Sequence, residues 1–95
     1  MLDAETGSNV LVNQGWAALW LGELLESSRK LELAYRFFKR SEAKWKSSSP
    51  IKAQLSCIRS DKVLTELLKT GDFQLPSDAE IERQCKEWLK YGNDL

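Results

Sequence analysis

The sequence predicts an all-α protein, a compact bundle or hairpin array of four helices. Three observations carry that prediction. Apolar residues recur at three- and four-residue steps through most of the chain, capping residues and glycines mark the ends of those runs, and no period-two alternation lasts long enough for a strand. The length of 95 residues makes one domain, and a chain of this mass can bury about two-thirds of its unfolded surface. The boundaries are read as a flexible lead-in over residues 1–8 and a single helical domain over 9–95.

The first helix follows from Trp16, Leu19, Trp20 and Leu24, with Asn13 as its expected cap and residues 10–12 as an extra turn or an extended entry. Ala17, Ala18 and Leu21 are apolar as well, so this helix must be central or must cover a partner. Ser28 is the expected N-cap of a second helix over residues 29–46. There Leu31, Ala34, Phe38 and Trp45 fall within about 60° of one another on a helical wheel. The Ser49-Pro50 pair reads as N-cap and first residue of a third helix. Its apolar residues change phase between Ile51, Leu55, Ile58 and Leu64, Leu67, Leu68, which predicts a break near residue 60. Gly71 supplies a left-handed stop, and Phe73 and Leu75 of the connector are expected to tuck into the core. The last helix opens on a capping box, Ser77 with Glu80. It carries an apolar stripe of Ile81, Cys85, Trp88 and Leu89, pairs Glu82 with Lys86 one turn on, and closes at Gly92.

Catalysis is not expected. The absence of histidine removes triads, histidine general bases and histidine metal sites together. Cys57 and Cys85 lie 28 residues apart, fit no metal spacing, and read as free core side chains rather than a disulfide. The five glycines do not cluster into a phosphate loop. No metal or cofactor is therefore expected. The N-terminus lacks the flanks of a signal peptide, and the most apolar stretch, Val10 to Leu25, is too short and too polar for a membrane span. A cytoplasmic protein is the expectation.

The charge distribution is more informative than its total of zero. Residues 1–28 hold four acids and no base, residues 29–59 hold nine bases against two acids, and residues 60–95 hold five bases against eight acids, so the blocks run −4, +7, −3. On the second helix Arg29, Arg36, Lys39, Arg40 and Lys44 share an arc of roughly 140°, bordered by Leu33 and Phe37, which a core on the opposite face would only partly cover. Two readings follow: an electropositive face for an acidic partner, or a solvated face whose charges pair with the acidic helices beside it. Trp45 and Trp88 read as core, whereas Trp16 and Trp20 are either core or an interface anchor.

The segment from Trp16 to Pro50 resembles a tetratricopeptide helical hairpin. Leu21-Gly22, Leu25, Ala34 and Phe38 fall at the family's spacings, while Ala18, Ser41 and Pro50 depart from its pattern. The resemblance implies a scaffold whose groove holds a peptide or helix of another protein. The expected function is a small non-catalytic interaction module (adaptor, regulator or chaperone-like) with Arg29, Leu33, Arg36, Phe37, Lys39, Arg40, Lys44, Trp16 and Trp20 as partner-binding residues. Its partner is another protein with an acidic surface, or a second copy. The alternatives are a nucleic-acid binder using the same bases, and a structural subunit of a larger assembly.

Overall fold

The computed structural model describes residues 7–91, with side chains from residue 13 onward. These residues form four helices: α1 (Gly7–Ser27), α2 (Leu31–Trp45), α3 (Pro50–Lys69) and α4 (Asp78–Tyr91). There is no strand among them. Most of the lead-in expected over residues 1–8, and the stop at Gly92, lie outside the described residues. Among the described residues no helix is long and apolar enough to cross a membrane.

The central element is α2, against which α1, α3 and α4 all pack. Ala34, Phe38 and Trp45 of the expected stripe are buried, and so are Tyr35, Phe37 and Ser41, because neighbours cover α2 on three sides. Two knobs of α2 enter two notches of α1. Gly15 faces the indole of Trp45 and Gly22 faces the ring of Phe38, both pairs stepping by one heptad in opposite directions, as antiparallel helices require. A buried hydroxyl chain fixes the third helix to this pair. Ser41 Oγ donates to the Gly15 carbonyl at 2.8 Å, and Ser56 Oγ lies 2.8 Å from Ser41 Oγ, which it reaches as donor.

Several local expectations are corrected. Asn13 lies inside α1 rather than capping it. Ser28 does not cap α2, because it belongs to the end of α1. The Lys30 N–H bonds to the Leu25 carbonyl and the Arg29 N–H to the Glu26 carbonyl, with Arg29 left-handed at φ 61°. This is a Schellman closure with arginine where glycine is usual. Helix α2 then starts at Leu31 with Lys30 in the N-cap position and no side-chain cap. Ser49 and Pro50 do open α3 as N-cap and first residue, although the serine hydroxyl makes no capping bond.

The break expected near residue 60 does not occur, and α3 runs unbroken. Its buried face is Ser56, Ser60, Val63 and Leu67, in phase from end to end. Ser60 is accommodated by donating to the Cys57 carbonyl at 2.8 Å. Ile51, Leu55 and Ile58 are out of phase because they are outside. Phe73 tucks in, edge-on to Tyr35 with centroids 5.6 Å apart, whereas Leu75 is exposed. Half of the capping box forms: the Glu80 N–H donates to Ser77 Oγ at 3.2 Å. The Glu80 carboxylate turns to Arg83 and Gln84 instead of reaching back. Both cysteines are free, Cys85 buried and Cys57 half-buried.

Candidate functional site

The structure divides the sequence-derived residues between two surfaces. The first is the basic face of α2, and α4 lies along it. Glu82 of α4 sits between Arg40 (3.7 Å) and Lys44 (3.6 Å). Arg36 is 3.8 Å from Glu32 on its own helix, and Lys39 donates to Glu42 at 2.9 Å. Burial alone would lower the Lys39 pKa; the bond to Glu42 and the charges of Glu42, Tyr35 and Cys57 together outweigh it and hold the ammonium above its usual range. Arg29 reaches across to Glu66 of α3 at 3.2 Å. The guanidinium side chains of Arg36 and Arg40 are only 14 % and 15 % exposed. Phe37, expected at a half-covered border, is 1 % exposed, since Trp88 of α4 stands edge-on to it at 5.5 Å. Leu33 is half-buried against the same core. Two of the five bases, Arg40 and Lys44, thus pair with the acidic helix beside them, while Arg36 and Lys39 pair within α2 and Arg29 with α3.

The second surface is the outer side of α1 and α3. Trp16 packs edge-on against buried Trp45 at 4.9 Å and stacks on Trp20 at 6.0 Å. Trp16 is thereby half-buried, and Trp20 is 62 % exposed. Long side chains bridge α1 to α3 in a regular ladder. Lys52 Nζ lies 5.3 Å from the Trp16 ring, Arg59 is 2.7 Å from Glu23 and Lys62 is 3.9 Å from Glu26. Each rung joins residues 36 apart, so the two helices run parallel, side by side. That register sets Leu55 level with Leu19 and Trp20. Around it, Leu24 is 50 % exposed and Ile58 59 %, with Ile51 beyond them. Large apolar side chains from two adjacent helices thus face solvent.

Sequence reasoning singled out Trp16 and Trp20 but missed Leu24, Ile51, Leu55 and Ile58. The signal for the α3 residues was the phase change, which marks a second, outward stripe rather than a bend. Among the described residues no cluster of acidic or cysteine side chains is arranged to hold a metal. Burial pushes the Cys85 thiol up to about 11 and raises that of Cys57 as well, the opposite of what a nucleophilic thiolate needs. Comparison with known proteins finds no matching family model, no matching curated protein and no matching solved structure.

Proposed function

We propose that this chain is a small, non-catalytic protein–protein interaction module that engages an apolar segment of its partner through the outer face of α1 and α3. The observation that carries the reading is Trp20, 62 % exposed within α1, a helix apolar nearly all round that packs on α2 and leaves its opposite side to solvent. Tryptophan at such a place is the residue type that dominates binding energy at interfaces, and Leu24, Leu55 and Ile58 extend the apolar area around it. The arrangement has the layout of a tetratricopeptide-like array, with a hairpin α1–α2 followed by a parallel third helix. A ladder offset of 36 residues, close to a 34-residue repeat, supports that kinship; α4, which packs on α2 rather than beside α3, departs from it. An adaptor or chaperone-like role in the cytoplasm fits this reading. A nucleic-acid role for the basic face gains no support, because carboxylates of the same chain already sit within 4 Å of Arg29, Arg36, Lys39, Arg40 and Lys44.

The test is a pull-down from native extract, with and without nuclease, comparing the natural chain with Trp20→Ala and with Trp20→Ala/Ile58→Ala. Protein partners should survive nuclease and be lost with Trp20→Ala, whose affinity should fall about thirtyfold for a hot-spot tryptophan. A retained set that is identical for all three chains, or that nuclease abolishes, overturns the reading.

A further inference from the structure

The helix that covers the basic face is seated unlike the others. Only two residues of α4, Ile81 and Cys85, are buried, against six of α2. Its packing is with α2; it meets α1 where Leu89 closes a crevice of about 150 Å³ with Ala17, Leu21 and Phe37. Two further open clefts run along its edges, one of about 300 Å³ between Lys39, Lys46 and Asp78, the other of about 490 Å³ between Leu33, Gln84 and Tyr91. The connector over residues 72–77 has no regular structure. A helix with two buried residues and clefts on both flanks, on a connector held to the core at Phe73, resembles a ligand lying in a groove more than a member of a close-packed core.

The groove selects by charge and shape together. Its floor is Phe37 under Trp88; Leu33, Arg40 and Lys44 follow one another along the same side of α2, and the carboxylate it receives, beside Arg40 and Lys44, is Glu82. Of the bases of α4, Arg83 pairs with Glu80 and Glu87 of its own helix, and Lys86, 67 % exposed, lies 3.9 Å from Glu82 on the solvent side. We propose that the α2 groove is a receptor site for an amphipathic helix with apolar residues at the spacing of Ile81, Cys85 and Trp88 and a carboxylate one residue after the first. In the free protein α4 fills this site in cis, and a partner protein's helix of the same chemistry displaces it. The short tether holds α4 at a local concentration in the millimolar range, so the site stays closed to weak ligands and opens to those that outcompete Glu82 and Trp88. This surface lies on a different side of α2 from Trp20, and the proposal stands or falls apart from the reading given above.

The probe is a labelled peptide with the sequence of residues 77–91, titrated by fluorescence anisotropy into the full-length chain. Against the natural chain it binds weakly, because α4 competes. Against Glu82→Lys, which turns the attractions to Arg40, Lys44 and Lys86 into repulsions while leaving the α2 residues of the groove unchanged, the natural peptide should bind roughly tenfold tighter, and binding should weaken as NaCl rises from about 50 to 500 mM. Adding Arg40→Glu and Lys44→Glu to the Glu82→Lys chain should abolish the gain, and Trp20→Ala should leave it unchanged. Equal binding to the natural and Glu82→Lys chains overturns the proposal, as does a Glu82→Lys chain that sediments as a dimer and refuses the peptide, since a second copy would then be the occupant. A second measurement does not depend on any variant folding. Amide hydrogen exchange of the natural chain should show residues 78–91 opening as a unit at lower free energy than α2. If α4 amides exchange only through global unfolding, the exchangeable-helix proposal is wrong.

Discussion

Replacing Gly22 with alanine sets two physical effects against each other. Helix propensity alone favours the change by about 1 kcal/mol, because Gly22 lies well inside α1. Packing opposes it. A Cβ on Gly22 would stand 2.6 Å from Cδ1 and Cε1 of Phe38, whereas carbon atoms settle at about 3.5–4.0 Å. The ring must therefore retreat by about 1 Å, and Phe38 is completely buried, so the retreat displaces α2 or its neighbours. Overpacking of this kind costs about 1–3 kcal/mol, sometimes more. The net expectation is a loss of about 1–2 kcal/mol, and a larger one for Gly15→Ala, whose Cβ would fall on the indole of Trp45. Urea unfolding followed by tryptophan fluorescence reads this directly. With a slope of about 1–1.5 kcal/mol/M for a domain of this size, the midpoint should fall by about 1 M for Gly22→Ala at unchanged slope. Trimming the knob in the same chain, Gly22→Ala with Phe38→Leu, should cost less than the sum of the two single changes. A midpoint that rises on Gly22→Ala would show that propensity governs α1 and that the notch is not needed.

Three further outcomes follow from the same contacts. Ser41→Ala leaves the Ser56 hydroxyl buried without its partner and should cost about 1–3 kcal/mol; a double-mutant cycle with Ser56→Ala should show coupling, and additive losses would refute a shared network. Arg29→Gly relieves a left-handed residue and should stabilise the chain by about 0.5–1 kcal/mol after loss of the exposed pair with Glu66; a lowered urea midpoint would count against the Schellman closure. Burial raises the Cys85 thiol to about 11 from an ordinary 9.0, and Cys57 and Tyr35 are raised by burial as well. The folded chain holds these protons more tightly than the unfolded one, so their contribution is complete below pH 9 and is lost as pH rises through the folded values. Stability should thus decline by about 2 kcal/mol between pH 9 and 11 on account of Cys85, and Cys85→Ala should flatten that decline. Thiol labelling of the native chain at pH 8 should modify Cys57 well before Cys85, and equal rates would contradict the burial difference.

The helices were legible because period, caps and glycines agree: Pro50 starts α3, Gly71 follows its end, and Ser77 caps the start of α4. What misled was the treatment of small polar residues as surface. Ser41 of α2 and Ser56 and Ser60 of α3 are all fully buried, and counting Ser56 and Ser60 with Val63 and Leu67 restores a continuous inward face to α3. Hydropathy cannot register that substitution, since a serine whose hydroxyl is satisfied across a helix contact packs like an alanine. The outward stripe of Ile51, Leu55 and Ile58 suggests a break for the converse reason, since hydropathy does not tell an exposed apolar face from a buried one. Phe37 was misplaced because a wheel drawn for one helix does not include the helix that comes later to cover its flank; only the pairing of Trp88 with Phe37 and of Glu82 with Arg40 reveals it. Arg29 had no sequence signal at all, as arginine is not the residue that marks a left-handed position.

The charge blocks gain a different meaning once the helices are placed. The positive block falls on α2 and the first half of α3, and the negative blocks fall on α1, the second half of α3 and α4, so much of the charge meets in cross-element pairs: Glu23 with Arg59, Glu26 with Lys62, Arg29 with Glu66, and Glu82 with Arg40 and Lys44. Each exposed pair contributes little to stability, and the core of Trp45, Phe37, Phe38 and Leu25 holds without them. Their consequence is selection of register, because sliding α3 by one turn against α1 would place Arg59 away from Glu23 and Lys62 away from Glu26 together. A surface whose charges are already committed to one another has little Coulombic attraction left to offer. The surface left for the proposed partner is therefore apolar, the side chains of Trp20, Leu24, Leu55 and Ile58, and the proposed release of α4 would return Arg40 and Lys44 to solvent.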